Sequence, residues 1–353
     1  MAIELKQVIK RVGADTHIHR TDIKLEEGRF NILLGTTLSG KTTLLRLMAG
    51  LERPSSGEIW FQGRNVTGVA VQQRRVAMVY QQFINYPNLT VYENIASPLN
   101  VVRMPAAEIA QRVRKVAELL QIEPLLQRMP SELSGGQQQR TALARALVKE
   151  SSLVLLDEPL ANLDYKLREE LREELPKLFR DSGATVVYAT TEPAEALLLG
   201  GYTATLHQGR ITQYGPTASV YRAPDDLLSA QVFSDPPINT AAIRKRGARF
   251  HYNDRVSWLA QGKYAALPDG SYTLAFRPHH ITLAANNRDS VSVTGKVVVT
   301  EISGSESVVH MRVGSDTWVS LSHGIHQFAR DQDVELFVQT DNCFYFDEQQ
   351  RLI

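Results

Sequence analysis

Gly35-Thr36-Thr37-Leu38-Ser39-Gly40-Lys41-Thr42 fits the pattern G-x-x-x-x-G-K-[ST]. A loop of this kind wraps a phosphate chain with its backbone N–H groups. The flanks agree with that reading. Phe30-Asn31-Ile32-Leu33-Leu34 is apolar and reads as a buried strand, and Thr43-Leu44-Leu45-Arg46-Leu47-Met48-Ala49 reads as a helix ended by Gly50. Strand, tight loop and helix N-terminus make an anion site, because unpaired N–H groups and the helix dipole both point at the loop. Residues 35–42, with Thr43 behind them, are therefore the candidate nucleotide-binding residues. Lys41 would reach the β- and γ-phosphates, and the Thr42 hydroxyl would hold Mg²⁺.

The chain has 353 residues, enough for two or three domains, and 43% hydrophobic residues, enough for ordinary cores. A formal net charge of +1 gives no electrostatic case for a nucleic-acid partner. The single cysteine, Cys343, excludes an intramolecular disulfide and fits a reducing compartment. Residues 1–11 alternate charged and apolar and lack the apolar stretch of a signal peptide. No run approaches the roughly 18 apolar residues of a membrane span, so any work at a membrane would go through partners.

Outward from the loop, residues 3–8 read as an edge strand, and His17-Ile18-His19 as the solvated face of another. A His-x-His pair can bind metal, but no further ligand stands near it in sequence. Residues 58–61 read as a strand with a hairpin tip at Gln62-Gly63, and 76–80 as a short core strand ending at Gln81. From about 86 to 148 the period is helical, with a helix start at Pro105. Leu133-Ser134-Gly135-Gly136-Gln137 opens one of these helices and again offers bare N–H groups to an anion; taken alone it is also a simple capping turn.

Leu153-Val154-Leu155-Leu156 is an apolar strand that ends in Asp157 and Glu158. An Asp there can hold the magnesium shell, and the adjacent Glu can polarise a water aimed at the γ-phosphate. The charged helix after Asp164 reads as a solvated face through Arg168, Glu169, Arg172 and Glu173. Residues 185–189 form a further core strand, and 203–206 and 210–213 a hairpin around Gln208-Gly209. After residues 234–237 the pattern changes to short strands at 273–276, 280–283, 291–301, 307–313, 317–321, 334–338 and 343–346, which suggests a small β-barrel. His279 and His280 have no ligand spacing and read as surface residues.

These motifs, in this order, resemble the ATP-binding-cassette (ABC) transporter ATPases, and within them the maltose- and glycerol-phosphate-type importer ATPases. Residues 35–42 match Walker A, Gln81 the Q-loop glutamine, and residues 133–137 the signature Leu-Ser-Gly-Gly-Gln. Asp157 and Glu158 match the Walker B aspartate and catalytic glutamate, and Asn162-Leu163-Asp164 the D-loop. Residues 86–95, and Arg277-Pro278-His279-His280-Ile281 in the C-terminal part, look like the importer subfamily and its regulatory barrel.

The resemblance implies an α/β fold: a P-loop NTPase core with an antiparallel β subdomain and a helical subdomain (about 86–148), spanning residues 1–235, then an all-β OB-like (TOBE) regulatory domain over 236–353. It implies ATP and Mg²⁺ as ligands, Glu158 as catalytic residue, and Thr42, Gln81 and Asp157 around the metal. Ser134, Gly135, Gly136, Gln137, Asp164 and Thr191 join the nucleotide contacts. Two cassettes would close head to tail on two membrane-spanning permease subunits at the cytoplasmic face of a bacterial inner membrane. A periplasmic or surface solute-binding protein would deliver a sugar, polyol or glycerol-like solute.

Three departures stand out. Thr191 occupies the place of the family's γ-phosphate histidine, and losing one such donor elsewhere costs roughly 10²–10³ in kcat. Arg11-Val12-Gly13 lacks the adenine-stacking aromatic, worth roughly 0.5–1.5 kcal/mol. Leu38 stands where glycine is usual, which strains the loop. The expectation is a heterodimer in which this chain's own site is slow and its signature completes the partner's site. The alternative is a regulatory nucleotide-binding subunit that scarcely hydrolyses. A soluble cassette for DNA repair or translation is disfavoured by the neutral charge, by the lack of a long coiled-coil insert and by the importer-like barrel.

Overall fold

The computed structural model describes residues 3–82, 84–161, 163–283 and 290–353. It divides into two compact units, Met1–Val220 and Tyr221–Ile353.

The first unit is built on a six-stranded sheet. Its strands are β3 (Phe30–Gly35), β6 (Val76–Val79), β7 (Leu153–Asp157), β8 (Thr185–Thr190), β9 (Tyr202–His207) and β10 (Arg210–Pro216), in the order β10-β9-β3-β8-β7-β6. All neighbours are parallel except β9 and β10, which form the expected hairpin. β3, β7 and β8 are buried at every position, as near-continuous Val/Ile/Leu runs covered on both faces require. A smaller antiparallel sheet runs β2 (Asp15–Lys24), β1 (Ile3–Val12), β4 (Ser56–Phe61), β5 (Arg64–Asn65). β1 is thus an inner strand paired on both sides, not the edge strand its charged residues suggest. It burdens only one face: Ile3, Leu5 and Val8 are buried in the core with α1 (Lys41–Ala49).

The helical stretch between β6 and β7 contains α2 (Val91–Val101), α3 (Ala106–Leu119) and α4 (Gly135–Leu147). Pro105 caps α3, which turns Ile109, Val113 and Val116 inward at helical spacing. After β7 come α5 (Tyr165–Ser182) and, after β8, α6 (Pro193–Leu199). Arg172 on α5 does not belong to a solvated face. It donates to Glu169, Glu192 and Glu195, and Glu195 is buried, so the guanidinium neutralises an inward carboxylate.

Apart from the short α-helix Leu227–Val232 and a few helical turns, the second unit is β. Two five-stranded antiparallel sheets share one core that contains Phe250, Phe276, Trp318 and Leu336. The strands Asn239–Arg246, Arg249–His251 and Ser257–Leu259 were not visible in the sequence pattern. This unit begins at Tyr221, ahead of the boundary expected at 235/236. The reason is local: buried Arg277 donates to Tyr221 O (2.6 Å) and Phe233 O (2.9 Å), and Leu227 and Ala230 pack with Ile238, Ala275 and Phe346. His279 is exposed as expected, but His280 is half-buried, with an Nδ1 that is buried and has no hydrogen-bond partner.

Candidate nucleotide site

The phosphate loop is shaped by what cannot have a side chain. A Cβ on Gly35, the last residue of β3, would lie 2.4 Å from Ser39 Oγ and 2.6 Å from Leu206 O. Gly40 caps α1 at φ 105°, a backbone that L side chains rarely adopt. Between them Leu38 is forced to φ 65° and stands 95% exposed.

Lys41 is buried and turns back into the loop. Its Nζ donates to Gly35 O (2.8 Å) and Thr36 O (3.0 Å) and lies 3.5 Å from Glu158 Oε1. Burial lowers its pKa, while Glu158 and Asp157 pull the other way. Loop carbonyls and one carboxylate thus hold the ammonium where incoming phosphate oxygens can replace them. Asp157, at the end of β7, is 2% exposed. The Thr42 hydroxyl hydrogen-bonds to its carboxylate, yet Oδ1 has no partner. Burial raises the Asp157 pKa; the Thr42 bond opposes this, and Glu158 adds to it. A buried carboxylate oxygen left unpaired beside a hydroxyl is a donor set that suits a hard cation such as Mg²⁺.

Glu158 follows at φ 48°, and its N–H donates to Ala189 O of β8 at 3.0 Å. A non-glycine residue held in this region stores strain of roughly 1–3 kcal/mol, and such strain gathers at functional positions. Its carboxylate bridges the site: Gln81 Nε2 donates to Oε2 at 3.3 Å, opposite the Lys41 contact on Oε1. The open cleft over these groups measures about 560 Å³. Thr37, Leu38, Ser39, Gly40, Lys41, Thr42, Thr43, Gln81 and Glu158 line it, all of them expected. So do Thr16, His17, His19, Gln208 and Gly209, which sequence reasoning missed. The signal was there in the 17–19 alternation, but a strand sequence does not say which element covers its outer face.

The other expected residues lie outside this cleft. Ser134 caps α4 in a reciprocal box: Gln137 N donates to Ser134 Oγ (3.4 Å) and Ser134 N to Gln137 Oε1 (3.0 Å). Gly135 has open space where a Cβ would be. Asp164 caps α5, accepting from Leu167 N at 3.0 Å. Thr191 is exposed just beyond β8. Asn162 lies outside the described residues. Within one chain, then, Ser134, Gly135, Gly136, Gln137, Asp164 and Thr191 do not touch the cleft over Lys41.

Residues 18–161 match the ABC transporter family and residues 274–346 the TOBE domain. The trehalose/maltose import ATP-binding protein MalK of Thermococcus litoralis is 36% identical, over 98% of this chain and 97% of its own length. The chain belongs to the ABC transporter ATP-binding proteins. The sn-glycerol-3-phosphate import ATP-binding protein UgpC of Pectobacterium atrosepticum is 33% identical over 99% of the chain and 98% of its own length. The Fe(3+) ions import ATP-binding protein FbpC of Vibrio cholerae is 36% identical over 82% of each. A dimeric ATP-binding cassette solved in a post-hydrolysis state with ADP and Pi superimposes with a TM-score of 0.56 at 29% identity, covering 61% of this chain and 98% of that one. This ABC protein is therefore an ATPase of the transport-coupled type, an ABC cassette followed by a TOBE domain. Among its described residues no helix is long and apolar enough to cross a membrane.

Proposed function

We propose that this chain binds and hydrolyses ATP to energise import of a carbohydrate or glycerol-phosphate-like solute through permease subunits at the cytoplasmic face of the cell membrane. The observation that carries the proposal is the convergence on one cleft of Lys41, Gln81 and Glu158, with the Thr42–Asp157 pair alongside. Lys41 exchanges the Gly35 and Thr36 carbonyls for phosphate oxygens. Thr42 and Asp157 hold Mg²⁺, which when bound screens phosphate charge. Glu158, aimed by Gln81, takes the proton of the attacking water. The signature turn at Ser134 lies away from this cleft, which supports its serving a nucleotide held by a second cassette. The import relatives, whose named substrates range from trehalose/maltose to Fe(3+), support a solute-binding protein and permeases as partners.

Cargo class is tested by uptake in cells that lack this chain. Restoring the wild-type chain should restore uptake of a labelled sugar or of sn-glycerol 3-phosphate, and Lys41→Ala should not. Uptake of both, unchanged by loss of the chain, would refute this cargo class.

A second reading concerns pairing. By the family resemblance Thr191, an uncharged residue, takes the place of the histidine that meets the γ-phosphate, which favours a non-identical partner cassette with the faster site. If so, Thr191→His raises turnover of the chain's own site; an active homodimer with turnover indifferent to that change argues against it.

A further inference from the structure

The phosphate end of the cleft is well furnished, but among the described residues its lining contains no Phe, Tyr or Trp. The ring side chains that do line it are His17 and His19. They stand at alternate positions of β2, one on each side of Ile18, which is 1% exposed and anchored in the core. Residues i and i+2 of a strand share a face, about 6.6 Å apart. Both imidazoles are thus directed to the same side, away from the core.

The backbone beneath them is pinned to the phosphate loop. His19 N donates to Gly209 O (2.9 Å), and Gly209 N donates to Ser39 O (2.9 Å). A Cβ on Gly209 would sit 2.3 Å from His17 O, and one on Gly40 would sit 2.8 Å from Ile18 Cδ1. Strand, hairpin turn and phosphate loop therefore form one tight junction, and the position of His17 relative to Lys41 is fixed by main-chain contacts.

A nucleotide with its phosphates in residues 35–42 must place its base against some wall of this cleft. We propose that His17, with His19 beside it, is the nucleobase platform: the purine ring stacks on imidazole, the ring side chain that the described lining offers. The proposal rests on the reading of residues 35–42 as the ATP loop. The phosphate loop supplies affinity common to any triphosphate, and the two histidines supply the part that depends on the base.

Titration calorimetry of the full chain with Mg²⁺ separates these parts, using ATP and inorganic tripolyphosphate as ligands. His17→Ala, and more so the His17→Ala/His19→Ala pair, should weaken ATP binding roughly three- to tenfold. Tripolyphosphate binding should not change, and His17→Phe should restore ATP binding. Unchanged ATP affinity in the double variant would overturn the platform. So would an equal loss for both ligands, which would place the histidines at the phosphates. If the wild-type chain bound neither ligand, the ATP-loop reading itself would fall first.

Discussion

Leu38 sits at the tip of the phosphate loop with φ 65° and almost its whole side chain in water. A left-handed backbone costs an L residue about 1–2 kcal/mol, and an exposed leucine recovers none of it through packing. Leu38→Gly relieves that strain and gives back part of the gain as unfolded-chain entropy. The expected result is a net stabilisation of up to about 1 kcal/mol, read as a higher Tm of the nucleotide-free chain. A lower Tm would mean the loop is not strained there. The family resemblance flagged this position, since glycine is usual where Leu38 stands.

His280 shows the opposite case, a residue whose role was hidden. Burial pushes its pKa down to about 4, with His279 and Arg277 adding to the shift. The folded chain therefore keeps His280 neutral while the unfolded chain protonates near 6.5. Its contribution is intact above about pH 6.5, is lost progressively as pH falls from about 6.5 to about 4, and stays lost below that. Thermal melts across this window should show a shallower decline for His280→Gln than for wild type. Parallel declines would assign the acid sensitivity to other groups.

At the scale of elements, two arrangements decide local stability. The first is the cap of α4. Ser134 and Gln137 satisfy each other's N–H groups, so Ser134→Ala should cost about 1 kcal/mol. Denaturant melts check this, with Ser134→Asp, another good cap, losing less. The second is the Arg172 cluster linking α5 to α6. Glu195 is buried and accepts from Arg172 (3.0 Å), Thr190 Oγ1 (2.6 Å) and Tyr188 OH (3.1 Å). Arg172→Met leaves that carboxylate without its counter-charge and should destabilise by about 3 kcal/mol; adding Glu195→Gln should recover much of it. A loss that does not change when the second substitution is made would contradict the pairing. Sequence reading missed this cluster because helical charge spacing looks the same whether the charges face water or a neighbouring helix. It succeeded with β3, β7 and β8, whose mostly apolar runs admit one environment. It placed β1 at an edge because alternate charges suit an edge strand and a one-faced inner strand equally.

On the scale of the molecule, the motifs made the nucleotide cleft largely legible: Lys41, Gln81 and Glu158 do meet, though Gln81 and Glu158 lie far apart in the chain. The cleft's second wall was not legible. His17, His19 and Gln208 enter it through tertiary packing of β2 and the β9–β10 turn, and no local pattern encodes that. The compact second unit starts at Tyr221, where the sequence pattern changes only after 234–237, because Arg277 ties Tyr221 and Phe233 to it. If the signature turn serves a nucleotide held by a second cassette, as proposed, Mg-ATP should promote self- or hetero-association, seen as a mass shift on light scattering.

The account's central claim is that Glu158 acts on the terminal phosphate of an ATP held by residues 35–42. Its most direct test is phosphate release under saturating Mg-ATP, with bound nucleotide measured in the same samples, for wild type and Glu158→Gln. The claim predicts equal ATP occupancy and a fall in release of at least about 10²-fold in the variant. Equal release from both proteins would contradict it.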